Sequence, residues 1–116
     1  MKRDWEIIRE VLQKVEDSSD TIKLKDFSED NAEKYSYHVE LLIESELIAG
    51  EMESHIGCPV LDFNIERLTW AGHDFLDAVS NNSIWNKTKK VLKEKGLGMS
   101  FDIIKKTAIK FAEEML

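Results

Sequence analysis

Apolar residues recur along this chain with two different periods. Over Trp5–Glu16, the residues Trp5, Ile8, Leu12 and Val15 fall at i, i+3, i+7 and i+10, with Val11 beside them. That spacing is one stripe of an amphipathic helix. Asp4 can cap its start, and Asp17-Ser18-Ser19-Asp20 ends it, because short polar side chains compete for backbone hydrogen bonds. Thr21–Lys25 then alternates apolar and charged residues, which predicts a short strand with Ile22 and Leu24 inward. Phe27–Asn31 reads as a turn, with room for a short extra helix near Ser28–Ala32 and a capping box from Asp30 and Glu33. A second helix follows to about Leu47, with Tyr35, His38, Val39, Leu42 and Ile43 inward.

The period then returns to two. Ile48–Glu53 and Leu61–Glu66 predict strands on either side of a loop at Ser54–Pro59, with Leu61, Phe63 and Ile65 on the apolar face of the later strand. Three helices complete the chain. Trp70–Val79 is capped by Thr69 and buries Phe75, Leu76 and Val79. Ile84–Lys95 starts at Ser83, places Ile84, Thr88, Val91 and Leu92 on one face, and stops at Gly96 and Gly98. Phe101–Met115 is capped by Ser100 and carries Ile104, Ala108, Phe111 and Met115 in a stripe. That stripe packs on the rest of the chain or, alternatively, pairs with a second copy in a homodimer. Helix, short strand, helix, strand, loop, strand is the order of a winged helix. The expected fold is therefore α+β: a winged-helix domain with a three-stranded antiparallel sheet at residues 1–80, and a C-terminal helical extension at 81–116 packing on it as one compact unit.

Two segments carry a family resemblance. Tyr37-His38-Val39-Glu40-Leu41-Leu42-Ile43-Glu44-Ser45-Glu46-Leu47-Ile48 resembles one segment of winged-helix proteins, and Arg67-Leu68-Thr69-Trp70-Ala71-Gly72-His73-Asp74-Phe75-Leu76-Asp77 resembles another. With Met1-Lys2-Arg3-Asp4 and Ile84-Trp85-Asn86-Lys87, they make nearly the whole chain similar to a bacterial, prophage-associated family, the domain of unknown function numbered 2513. The resemblance implies a winged-helix-like regulator and offers no enzymatic residue to carry over. Glu46 stands where such segments usually have glycine, so the second helix is expected to run on a residue or stop differently.

Composition narrows the function classes. At 116 residues the chain is the size of one domain. Its longest uncharged stretch, about nine residues at 78–86, is far below the roughly 18 apolar residues of a membrane span. Met1–Asp4 leads into a charged helix with no apolar leader, and a lone cysteine suits a reducing compartment, so a cytoplasmic location is expected. The net charge of −7 is unevenly spread. Residues 1–80 hold eight Lys or Arg against nineteen Asp or Glu (8 − 19 = −11), and residues 81–116 hold eight Lys against four acids (8 − 4 = +4).

That split bears on partners. The second helix occupies the recognition position of a winged helix, yet Glu29, Asp30, Glu33, Glu40, Glu44 and Glu46 face a single Lys34 there. Carboxylates beside phosphates oppose groove binding, so Glu33, Glu40 and Glu44 read as a solvated face or as a surface for a basic protein partner. Phe111 and Met115 are further candidates for protein contact. Lys87, Lys89, Lys90 and Lys93 fall within about half the circumference of their helix and are the candidates for nucleic-acid contact. Trp85 beside them suits a core better than base stacking. His55 and Cys58 lack the further ligands zinc requires, and His38 and His73 read as packed histidines with one nitrogen hydrogen-bonded. Acid pairs such as Glu51/Glu53 and Asp74/Asp77 have no catalytic companion. The expectation is a non-enzymatic interaction module without metal or cofactor, with a DNA-binding regulator using the wing and the lysine-rich helix as the alternative.

Overall fold

The computed structural model describes residues 1–53, 60–96 and 98–116. The expected hairpin loop at Ser54–Pro59, with His55 and Cys58, lies outside the described residues. Among the described residues there are five α-helices and one two-stranded antiparallel sheet: α1 (Trp5–Asp17), α2 (Ala32–Glu44), β1 (Ile48–Glu53), β2 (Asp62–Leu68), α3 (Trp70–Val79), α4 (Asn82–Glu94) and α5 (Phe101–Glu114). Two compact units divide within α3, Met1–His73 and Asp74–Leu116.

In the first unit, Asp4 caps α1 by accepting from the amides of Glu6 at 3.0 Å and Ile7 at 3.4 Å. Ile7, Ile8, Val11, Leu12 and Val15 form its buried stripe. This face meets β2 and α2, and α2 also packs on β1, with Tyr35, Val39 and Leu42 among its buried residues. The inward residues of β2 are Phe63, Ile65 and Leu68. The strands pair from Ile48↔Leu68 to Glu53↔Asp62, with a register shift between Ala49 and Gly50 that leaves Glu66 as the extra residue of a bulge.

The three-stranded winged-helix sheet expected from the sequence is not what forms. Thr21–Lys25 contributes one isolated bridge, in which the Ile22 N–H donates to the Ile65 carbonyl at 3.0 Å and the Ile22 carbonyl accepts the Ile65 N–H at 2.9 Å. Side chains then capture the next amides. The Lys23 N–H donates to Asp26 Oδ2 at 2.8 Å, and the Leu24 N–H to Asp62 Oδ1 at 3.1 Å. With those donors satisfied by carboxylates, the backbone coils into a 3-10 turn at Leu24–Asp26 instead of extending a ladder. A second 3-10 turn, Glu29–Asn31, leads into α2 without a side-chain cap.

α2 ends earlier than expected, at Glu44, because Glu46 takes the left-handed conformation (φ 62°) usual for glycine there. The Glu46 N–H donates to the Ile43 carbonyl at 3.0 Å and the Leu47 N–H to the Leu42 carbonyl at 3.1 Å. Those two bonds, with Leu42 and Leu47 both buried, make a Schellman end. The Thr69 hydroxyl donates to the Glu46 carbonyl at 2.6 Å, and its oxygen accepts the Gly72 N–H at 3.1 Å, capping α3. Gly72 is required by close approach: a Cβ there would sit 2.0 Å from the Leu47 carbonyl oxygen.

In the second unit, Phe75 meets Phe101 edge-on with ring centroids 5.0 Å apart. Asn81, two residues before the expected start at Ser83, caps α4 by accepting the Ile84 N–H at 3.0 Å. Ser100 caps α5 by accepting the Ile103 N–H at 3.2 Å. α4 packs on α5 through a core that includes Trp85, Leu92, Ile104 and Ala108.

Candidate functional site

The outer face of α2 is built by helix geometry. Glu33, Glu40 and Glu44 fall at i, i+7 and i+11, within about 40° of one another at roughly 100° per residue. Glu33 and Glu44 are exposed, Glu40 is half-buried, and the half-buried Tyr37 stands in the same stripe. The helix's one cation is engaged elsewhere: Lys34 Nζ pairs with Asp4 Oδ2 at 3.0 Å. Among the described residues, none of the three carboxylates has a basic partner within 4.0 Å. The face is therefore a negative stripe with an aromatic residue inside it.

A polar joint between α1 and α2 fixes that face. His38 is fully buried; its Nε2 accepts the Asp4 N–H at 2.7 Å and its Nδ1 faces the Lys34 carbonyl at 2.7 Å. An amide can only donate, so the proton lies on Nδ1 and the ring is neutral. Burial by itself raises the Asp4 carboxyl, but the Lys34 ammonium and the Ile7 amide outweigh it and leave the carboxyl below its ordinary value. The Tyr35 hydroxyl donates to Glu10 Oε2 at 2.6 Å, and that bond, with burial, pushes the phenol up to about 12. Tyr35 also stacks on Phe27 at 4.7 Å.

The lysines lie on α4. Lys87, Lys90 and Lys93 are exposed and Lys89 is half-buried. Two of them lean on aromatic rings: Lys87 Nζ is 4.5 Å from the Phe111 centroid, and Lys89 Nζ is 5.2 Å from that of Trp85. Trp85 is 1% exposed, so it is core and has no face to offer a base. Phe111 is half-buried under Lys87, whereas Met115 is 65% exposed. His73 is exposed, with Nδ1 3.7 Å from Glu16 Oε2, and is not a packed core residue. Asp74 pairs with Lys105 at 3.8 Å. Among the described residues, no three His, Cys, Asp or Glu side chains gather to hold a metal ion. No helix among them is long and apolar enough to cross a membrane.

Sequence reasoning passed over Trp70, which is 83% exposed at the first position of α3. Its place directly after the Thr69 cap, off the stripe of Phe75, Leu76 and Val79, was the available signal.

A family model described as Hypothetical protein (DUF2513) matches residues 2–98. The chain belongs to that family. The DUF2513 match takes in α1 to α4 and both strands, and ends before α5. Over 119 aligned residues the chain is 34% identical to an uncharacterized protein of Haemophilus influenzae, covering 100% of this chain and 99% of that protein. No solved structure matches it. DUF2513 membership names no chemistry, so the functional argument rests on the surfaces themselves.

Proposed function

We propose that this DUF2513 protein is a non-enzymatic regulatory factor that works through protein contacts, presenting Glu33, Glu40 and Glu44 of α2 to a basic partner. One observation carries the reading: three carboxylates share a stripe whose neighbouring ammonium is tied to Asp4. A surface of one sign selects partners of the other and speeds their encounter. A prophage association of this factor is part of the same proposal. The test is quantitative affinity capture with wild type and a Glu33→Lys/Glu40→Lys/Glu44→Lys variant. A protein enriched by wild type should be lost on reversal and kept by a Lys87→Ala/Lys90→Ala/Lys93→Ala variant. Capture indifferent to reversal contradicts the proposal.

A second reading, DNA binding, draws on the exposure of Lys87, Lys90 and Lys93 on one face of α4. Phosphate contact through them predicts an affinity that falls steeply with salt and disappears in the triple alanine variant. The first reading is preferred because the α2 stripe opposes the approach of a polyanion.

A further inference from the structure

α5 has two stripes, and α4 covers one of them. Ile104 and Ala108 are fully buried. The other runs through Asp102, Lys105, Ile109 and Ala112, alternating steps of three and four as a helix-pairing seam does, and Leu116 follows just past the helix end. Ile109 is 39% exposed and Leu116 fully exposed. Lys105, Ile109, Ala112 and Leu116 form one wall of an open groove of about 470 Å³, and Asp77 and Ala78 of α3 form part of the other.

Asp102 in the first turn of this helix suits its dipole, but the far end does not. Its last turn holds Glu113 and Glu114 and no base, beside the carbonyl end that favours cations. Lys105 and Lys106 stand towards the amide end. An antiparallel neighbour of the same sequence reverses that penalty. About a two-fold axis at Ile109, residue 109 + n of one helix faces 109 − n of the other. Ile109 then meets Ile109 of the second copy, and Lys105, which lies 3.8 Å from Asp74 of its own chain, also meets the second copy's Glu113, twice over by symmetry.

We propose that the groove-side stripe of α5 is a self-association surface, on which α5 of a second copy lies antiparallel with Ile109 at the centre and two Lys105–Glu113 pairs flanking it. A helix of 14 residues spans about 21 Å, so the contact is small and the dimer forms at high protein concentration.

Sedimentation equilibrium on the full chain, up to millimolar concentration, tests this. Wild type should rise from 13.4 kDa towards twice that mass. Ile109→Ser should weaken association at least tenfold. Lys105→Glu alone and Glu113→Lys alone each place like charges opposite one another and should remain monomeric. An equimolar mixture of the two should dimerise as wild type does, because both cross-pairs become attractive again. That rescue cannot come from a misfolded chain. The proposal is overturned if wild type stays monomeric throughout, leaving the groove to a different protein. It is also overturned if the mixture stays monomeric, or if the dimer ignores all three substitutions.

Discussion

Replacing Glu46 with glycine should stabilise this protein, although it deletes a side chain and adds chain freedom. Glu46 holds φ 62° at the end of α2, the same left-handed conformation that Gly96 holds (φ 66°) after α4. For a residue with a Cβ this conformation costs roughly 1–2 kcal/mol. Glycine removes that cost and returns about 0.5–1 kcal/mol through its greater freedom in the unfolded chain. The net gain is about 0.5–1 kcal/mol. With a urea slope of about 1–3 kcal/mol/M, the midpoint should move up by roughly 0.2–1 M at unchanged slope. Glu46→Ala is the control, since it removes the carboxylate and keeps the backbone cost; its expected change is within about 0.5 kcal/mol of zero. The gap between the glycine and alanine variants isolates the backbone. Both keep the Leu47 N–H to Leu42 carbonyl bond of 3.1 Å and the Thr69 bond to the Glu46 carbonyl. A glycine variant no more stable than the alanine variant would refute the assignment of strain to Glu46.

Gly72→Ala should destabilise by about 3 kcal/mol, the upper range for overpacking, because its Cβ would meet the Leu47 backbone oxygen at 2.0 Å and no rotamer can move it. Gly98→Ala, with nothing within 4 Å, should change stability by less than about 1 kcal/mol in the same urea titration. His38→Leu should cost about 2 kcal/mol by leaving the Asp4 amide without its acceptor, and hydrogen exchange at that amide should accelerate; an unchanged exchange rate would contradict the joint. Tyr35 has its phenol raised from 10.0 to about 12. A raised value means the folded state holds the proton more tightly, so its contribution is complete below pH 10.0 and is lost as pH rises through about 12. Tyrosinate absorbance should show this late step, and Glu10→Gln should move it earlier; a step that ignores Glu10 would show that the hydrogen bond is not its main cause.

What was legible in the sequence was local. Asp4, Thr69 and Ser100 cap helices because each needs only amides two or three residues away. β1 and α3 have the limits that alternation and capping imply. The strand expected at Thr21–Lys25 does not form, and the sequence could not show this, because Asp62, 38 residues from Leu24, takes the amide a ladder would have used. The winged-helix expectation failed at the same point, since its third strand depended on that segment. Glu46 misled for another reason: side-chain identity argued against a left-handed turn that the Glu46 N–H to Ile43 and Leu47 N–H to Leu42 bonds close and the Thr69 hydroxyl holds. At the candidate site, the sign and spacing of the α2 carboxylates could be read directly, whereas the pairing of Lys34 with Asp4 required the packing of α1 on α2. The two stripes of α5 have the same three-and-four spacing, so pattern alone cannot say which of them α4 covers.

The most direct test of the account is a fluorescence anisotropy titration of a labelled duplex DNA with the full chain at low salt. The account predicts no saturable rise for wild type, because the outward face of α2 repels phosphate. Saturable binding that weakens steeply with added salt and vanishes in the Lys87→Ala/Lys90→Ala/Lys93→Ala variant would contradict it.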